Sequence, residues 1–182
     1  WQLICSVLLL ATNGLFVAAE FALVASKSHR LEETESEMKR SARAAAAATR
    51  QLSLTLAGAQ LGITLCSLGL GALAEPAIAH LLQPLFHAIG LHQSASHAIA
   101  IIIALLVVVF LHMVVGEMAP KSLAITHPER AALFLALPFA AFNAAARPLL
   151  RFLNGTTNAI LRAFGIHPQD ELAQAHGPEE LQ

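Results

Sequence analysis

For seventy consecutive residues, 51–120, this 182-residue chain has no lysine or arginine. Its eleven basic residues fall in two stretches, Lys27–Arg50 and Lys121–Arg162. Charge of either sign is scarce: 13% of residues carry it against 56% that are hydrophobic, and the mean hydropathy is +0.62. That balance excludes an ordinary soluble domain and points to an integral membrane protein. A formal net charge of −1 gives no footprint for nucleic acid. The two cysteines, Cys5 and Cys66, lie inside apolar runs with no CxxC spacing or neighbouring histidine. They read as buried free thiols rather than a disulfide or a zinc site. No serine is set with histidine and aspartate in a recognisable order, no glycine-rich phosphate loop precedes a lysine, and HExxH does not occur. The chain is not expected to be an enzyme and needs no organic cofactor.

What is present reads as a topology map. Cytoplasmic loops collect Lys and Arg while exported loops shed them, so both basic stretches belong in the cytosol and the segment between them outside. Trp1–Ser26 has Glu20 as its only charge and spans roughly 39 Å as a helix, enough for a bilayer core. The charges follow this run instead of preceding it, which disfavours a signal peptide. Lys27–Arg50, with Glu35 and Lys39 four apart, predicts a solvated cytosolic helix leading back to the membrane. Leu52–Ala74 is an uncharged second span, expected to close at Glu75-Pro76 because proline stops helices. His80, His87, His92 and His97 follow without close HxxxH pairing or an accompanying acid, as in an ordinary outer loop. Ala98–Gly116 is the third span, with His112 its only polar group.

The fourth apolar run, Ala131–Ala146, is 16 residues with Pro138 inside it, roughly 24 Å and short for a span. Crossing would also put Arg147, Arg151 and Arg162 outside, so a belt helix along the cytosolic interface is the better reading. The expectation is an all-α membrane protein of three transmembrane helices with cytosolic juxtamembrane and belt helices, N-terminus outside and C-terminus inside. The membrane domain is expected over 1–165 and a cytosolic linker over 166–182. The chain begins with Trp1, not Met, and its last segment is polar and acidic. It therefore reads as a piece of a longer protein whose remaining parts carry regulation.

Ionisable groups at membrane depth are costly and usually face a cavity, a counter-ion or a pathway, so Glu20 and Glu117 are the leading functional candidates. Counted from Ser26 and Lys121, they lie about 9 Å and about 6 Å inside the cytosolic ends of their spans. Pro120 cannot donate to the carbonyl of Gly116, which should leave a free backbone oxygen beside the Glu117 carboxylate. On the second span Gln60, Thr64 and Ser67 recur at i, i+4 and i+7 as a stripe of polar side chains, while Gly58 and Gly62 form a GxxxG pair for close helix packing. Carboxylate, carbonyl and hydroxyl oxygens suit Mg2+ or another hard cation better than zinc or copper. The carboxylates could alternatively carry protons. The plainer alternative pairs Glu117 with Lys121 at i,i+4 to close a helix end, with Glu20 hydrogen-bonded to another helix.

Three segments, Asn13-Gly14-Leu15-Phe16-Val17-Ala18-Ala19-Glu20-Phe21-Ala22-Leu23, Gly58 to Gly71 closing at Glu75-Pro76, and Gly116-Glu117-Met118-Ala119-Pro120-Lys121, together resemble the membrane domain of the CNNM/CorC family of magnesium transport proteins, also called haemolysin-like. The resemblance implies a homodimer of three-span subunits in a prokaryotic plasma membrane, exporting Mg2+ against Na+ entry. It also implies a following nucleotide-sensing pair of cystathionine-beta-synthase-type domains, with His176–Leu181 as the lead into it. The chain departs from the family at Val17, Ala19 and Ile63, apolar where better-known members tend to have two serines and an asparagine. Gln60, Thr64 and Ser67 are then left to supply oxygens from neighbouring positions. The competing functional class is a membrane anchor or sensor that moves no ion. A haemolysin-type pore would need a wetter surface than Ile101–Phe110 offers.

Overall fold

The computed structural model describes residues 1–26, 39–89 and 92–165, and among them it is helical with no strand. The elements are α1 (Gln2–Ala25), α2 (Lys39–Arg50), α3 (Leu52–Ala88), α4 (Gln93–Leu111), a π-helical segment (His112–Met118), α5 (Ala119–Thr126) and α6 (Pro128–Ala163). Apolar runs of this kind have one solution in lipid, because a helix satisfies its backbone N–H and C=O groups within the segment. The linker expected over 166–182 and the Glu35–Lys39 pair lie outside the described residues.

Four stretches are long and apolar enough to cross a bilayer: Gln2–Ala25, Leu54–Ala88, Gln93–Thr126 and Pro128–Ala163. The side-chain pattern of α4 shows what surrounds it. Ala100, Ala104 and Val108 are buried, while Ile102, Leu106 and Phe110, on another face at the same spacing, are 57%, 64% and 64% exposed. Small residues inward and large apolar ones outward is the arrangement of a helix solvated by lipid and packed through close backbones.

Packing of α1 on α3 follows from glycine. A Cβ on Gly62 would stand 2.7 Å from the Phe16 ring, and one on Gly69 would stand 2.9 Å from Leu9 Cδ1. Bare backbone on α3 is thus the seat for large side chains from α1. Gly58 does the same for Asn143 of α6, whose Oδ1 would lie 1.8 Å from such a Cβ. Around this seam Ala18, Ala19, Ala22 and Leu23 of α1 meet Ala42 and Ala45 of α2, Ala124 of α5 and Phe139 of α6 in one buried cluster. Arg40 and Arg43 of α2 stay exposed. Its alanine face is what docks, and Thr55 Oγ1 donates to the Ala48 carbonyl across 2.9 Å where α2 gives way to α3.

Two helix boundaries differ from expectation. Pro76 does not end the second span: α3 runs for 37 residues with Pro76 and Pro84 both inside it. Proline removes one backbone bond and crowds the carbonyl four residues back, but neighbouring helices and local adjustment let membrane helices absorb that loss. The fourth apolar run is not 16 residues but part of a 36-residue helix that continues through Pro138 and Pro148. Its length, about 54 Å, no longer argues against crossing; only the arginines do. The chain divides into compact units of 1–144 and 145–182. In the second, the end of α6 carries exposed Arg147, Arg151 and Arg162 and stops at Gly165, whose φ of 76° is the left-handed conformation common at helix ends.

Candidate cation site

The site starts with a missing N–H. Pro120 has no amide hydrogen, so the carbonyl of Gly116, four residues earlier, cannot receive its ordinary helical bond. The backbone before it widens into the π-helical segment His112–Met118, and Ala119 N–H reaches back five residues to the Val114 carbonyl. Short π segments inside α-helices frequently mark functional sites. The carbonyl of Gly116 is not left free, as the sequence suggests; Asn13 Nδ2 of α1 donates to it across 2.9 Å. Asn13 is fully buried. Two glycines make the approach possible: a Cβ on Gly116 would stand 3.1 Å from Asn13 Nδ2, and one on Gly14 would stand 3.0 Å from Pro120 Cγ.

Widening the helix has a second effect. In an α-helix residues five apart point about 140° away from each other, whereas a π-helix, bonded i to i+5, brings them onto one face. His112 and Glu117 are five apart, and Nε2 of the ring lies 3.3 Å from Glu117 Oε1. From α3, Ser67 Oγ stands 3.3 Å from the same Nε2, and from α1, Asn13 Nδ2 stands 3.3 Å from it. Three helical elements therefore converge on one ring nitrogen. The His112 side chain is 18% exposed and that of Glu117 is 45% exposed, so the cluster is closed on the histidine side and open on the carboxylate side. The Ser67 hydroxyl donates to the Ile63 carbonyl across 2.9 Å, leaving its oxygen lone pairs toward His112. Asn13 Oδ1 is buried with no hydrogen-bond partner.

Of the residues the sequence singled out, Ser67, Gly116 and Glu117 come together. Gln60 and Thr64 are exposed on α3, and the Thr64 hydroxyl donates to the Gln60 carbonyl of its own helix across 2.7 Å. Glu20 stands seven residues beyond Asn13 on α1, about 10.5 Å along the axis, where the charge of Lys121 acts on it. Lys121 does not close a helix end with Glu117; its Nζ lies over the Phe21 ring, 4.4 Å from the centroid. Nor is Pro120 a break in the chain's path, since α5 continues directly from the π-helical segment. Val17 and Ala19 are buried in apolar packing.

Sequence reasoning missed Asn13 and gave no role to His112. The signal was available, because both are polar groups within apolar runs, and such groups need a partner. Among the described residues no three His, Cys, Asp or Glu side chains form a metal-binding group. Of the four outer-loop histidines, His80 and His97 line one cavity of about 130 Å3 with Glu75 and Gln83, and Gln83 Nε2 is hydrogen-bonded to His97 Nδ1. The potential donors around His112 are thus an amide, a hydroxyl, an imidazole and one carboxylate.

A family model described as the Cyclin M transmembrane N-terminal domain matches residues 4–182. The chain is 41% identical over 176 residues to the uncharacterized protein Rv1841c of Mycobacterium tuberculosis, covering 97% of this chain and 50% of that protein. It is 40% identical over 173 residues to the UPF0053 protein YhdT of Bacillus subtilis, covering 95% and 38%, and 39% identical over 180 residues to the UPF0053 protein YhdP of the same organism, covering 99% and 40%. It spans half or less of the length of these relatives.

Proposed function

The chain belongs to the CNNM family of transmembrane domains, and from that premise we propose that it moves a divalent cation, with Mg2+ as substrate, out of the cell against Na+ entry. The observation that carries this reading is the meeting of the Glu117 carboxylate and the Ser67 hydroxyl around His112 Nε2, each 3.3 Å from it, at membrane depth. Mg2+ gives up water reluctantly and needs oxygen in its place. Glu117, open to solvent on one side, receives the hydrated ion, and Ser67 offers a lone pair that no helical bond uses. Asn13 holds the Gly116 carbonyl and so fixes the turn on which Glu117 sits. Glu20 serves as a second charge about two turns away, balanced by Lys121 when the site is empty.

The proposed setting is a homodimer of three-span subunits in a bacterial plasma membrane, N-terminus outside and C-terminus inside. The arginines at 147, 151 and 162 keep the end of α6 on the cytosolic interface. Nucleotide reaches it only through a cytosolic domain beyond this segment. Reconstituting the full-length protein and its Glu117→Gln variant in liposomes with an entrapped Mg2+ indicator tests this. Flux driven by a Na+ gradient and lost in the variant is expected; equal flux in both removes Glu117 from the mechanism.

One observation favours a second reading. The Gly116 carbonyl already has its partner in Asn13, as it would in a rigid anchor or sensor that only positions cytosolic domains. That reading requires folded, dimeric protein that moves no ion, with Glu117→Gln changing stability alone.

A further inference from the structure

We infer that His112 Nε2 is itself a cation ligand, and that the site therefore takes a borderline first-row divalent ion of the Mn2+, Co2+ or Zn2+ class in addition to Mg2+. This inference rests on the transport site proposed above and names which ions that site admits.

Hydrogen positions around the ring carry the first step. The Ser67 hydroxyl hydrogen goes to the Ile63 carbonyl, so Ser67 presents only lone pairs to His112. One hydrogen of Asn13 Nδ2 goes to the Gly116 carbonyl across 2.9 Å, and the other lies toward Nε2 across 3.3 Å. An amide N–H facing Nε2 requires a lone pair there, which selects the neutral tautomer protonated at Nδ1, the form in which imidazole binds metals. At 3.3 Å that contact is too long to hold the lone pair strongly. Nε2, the Ser67 oxygen and the Glu117 carboxylate then face one another as three electron-rich groups. Nothing but a cation satisfies all three at once. The partnerless buried oxygen of Asn13 adds a further acceptor on the amide that touches the same ring nitrogen.

Spacing carries the second step. A four-coordinate metal with ligand bonds of about 2.0–2.1 Å has ligand-to-ligand edges of about 3.3–3.4 Å, whereas octahedral Mg2+ with bonds of about 2.0–2.1 Å has edges of about 2.8–3.0 Å. Both edges that start at Nε2, to Ser67 Oγ and to Glu117 Oε1, are 3.3 Å. One nitrogen with two oxygens is also the donor set that imidazole-tolerant ions accept and that Mg2+ does not prefer. The exposed side of Glu117 leaves room for water to complete the shell.

The test uses purified full-length protein in lipid nanodiscs, titrated with Co2+ and read by its visible absorption, with Mg2+ as competitor. Wild type is expected to bind Co2+ at least about tenfold more tightly than Mg2+, and His112→Gln to lose about tenfold or more of the Co2+ affinity while keeping that for Mg2+ within about threefold. Unchanged Co2+ binding in His112→Gln overturns the inference, as does an equal loss for both ions, which marks His112 as a positioning residue. Glu117→Gln separates the two levels: if it weakens both ions while His112→Gln changes neither, the site stands and the histidine ligand falls. If Glu117→Gln keeps both ions, the transport site itself is misplaced and this inference falls with it. A measurement on wild type alone guards against variants that fail to fold. Pulsed electron paramagnetic resonance of bound Mn2+ should show nitrogen modulation from a directly bound imidazole, and a spectrum without it overturns the assignment.

Discussion

The side-chain amide of Asn13 donates to the carbonyl of Gly116 across 2.9 Å, so that α1 supplies the hydrogen bond that Pro120 takes away from its own helix. The two residues are 103 positions apart in sequence. Asn13→Ala should therefore leave a buried carbonyl unsatisfied and cost about 1–3 kcal/mol of stability. Thermal unfolding in detergent measures this, with Thr12→Ala as the control, since the exposed Thr12 hydroxyl bonds only to the Leu8 carbonyl of its own helix. Equal effects of the two changes would remove the Asn13 bond from the account.

Restoring the missing donor should relieve the requirement for Asn13. In a double-mutant cycle Pro120→Ala is expected to shrink the penalty of Asn13→Ala by about 1 kcal/mol, because the new N–H can reach the Gly116 carbonyl. Additive penalties would show that the two residues do not share that oxygen.

At the α1–α3 seam, Gly62→Ala places a methyl group 2.7 Å from the Phe16 ring and should destabilise the fold by about 1–3 kcal/mol. Gly71→Ala meets nothing within 4 Å and should be neutral or slightly stabilising. Phe16→Leu in the Gly62→Ala background is expected to recover part of the loss. The comparison is again made by thermal unfolding, and equal behaviour of Gly62→Ala and Gly71→Ala would contradict the packing.

Ser67→Ala removes an oxygen from the site without touching a bond between helices that packing depends on. Cation flux should fall by about tenfold with the unfolding temperature nearly unchanged. Flux at the wild-type level would place Ser67 outside the path.

Orientation can be read by labelling. In a background with Cys5 and Cys66 replaced, a cysteine at His92 should react with an impermeant maleimide added outside intact cells, and one at Phe164 only after permeabilisation. Labelling of Phe164 from outside would make α6 a fourth span and put its arginines on the exported side.

Much of this architecture was legible because lipid leaves so few alternatives. The apolar runs that became α1, α3 and α4 could be read directly, and so could the GxxxG pair that seats α1 on α3. Prolines misled the reading, since their cost is learned from helices in water; Pro76 and Pro138 lie inside long helices where neighbours absorb it. At the site, Glu117 and Ser67 were found by rarity and periodicity. The link between His112 and Glu117 was not visible, because α-helical periodicity places residues five apart on different faces, and only the π-helical segment joins them. Asn13 was hidden for another reason: its partner is a backbone oxygen, which leaves no trace in side-chain pattern.

The π-helical segment also fixes where this chain can change length. A π turn accommodates one residue more than the α turn it replaces, so His112–Met118 is a stretch from which a single residue could be deleted while the helix remained continuous. Such a deletion would rotate everything after it by about 100°. Glu117 would swing away from the imidazole and the Asn13 bond would lose its acceptor, although hydropathy and helix content would hardly change. The insertion is a local key: the fold survives without it, and the site does not.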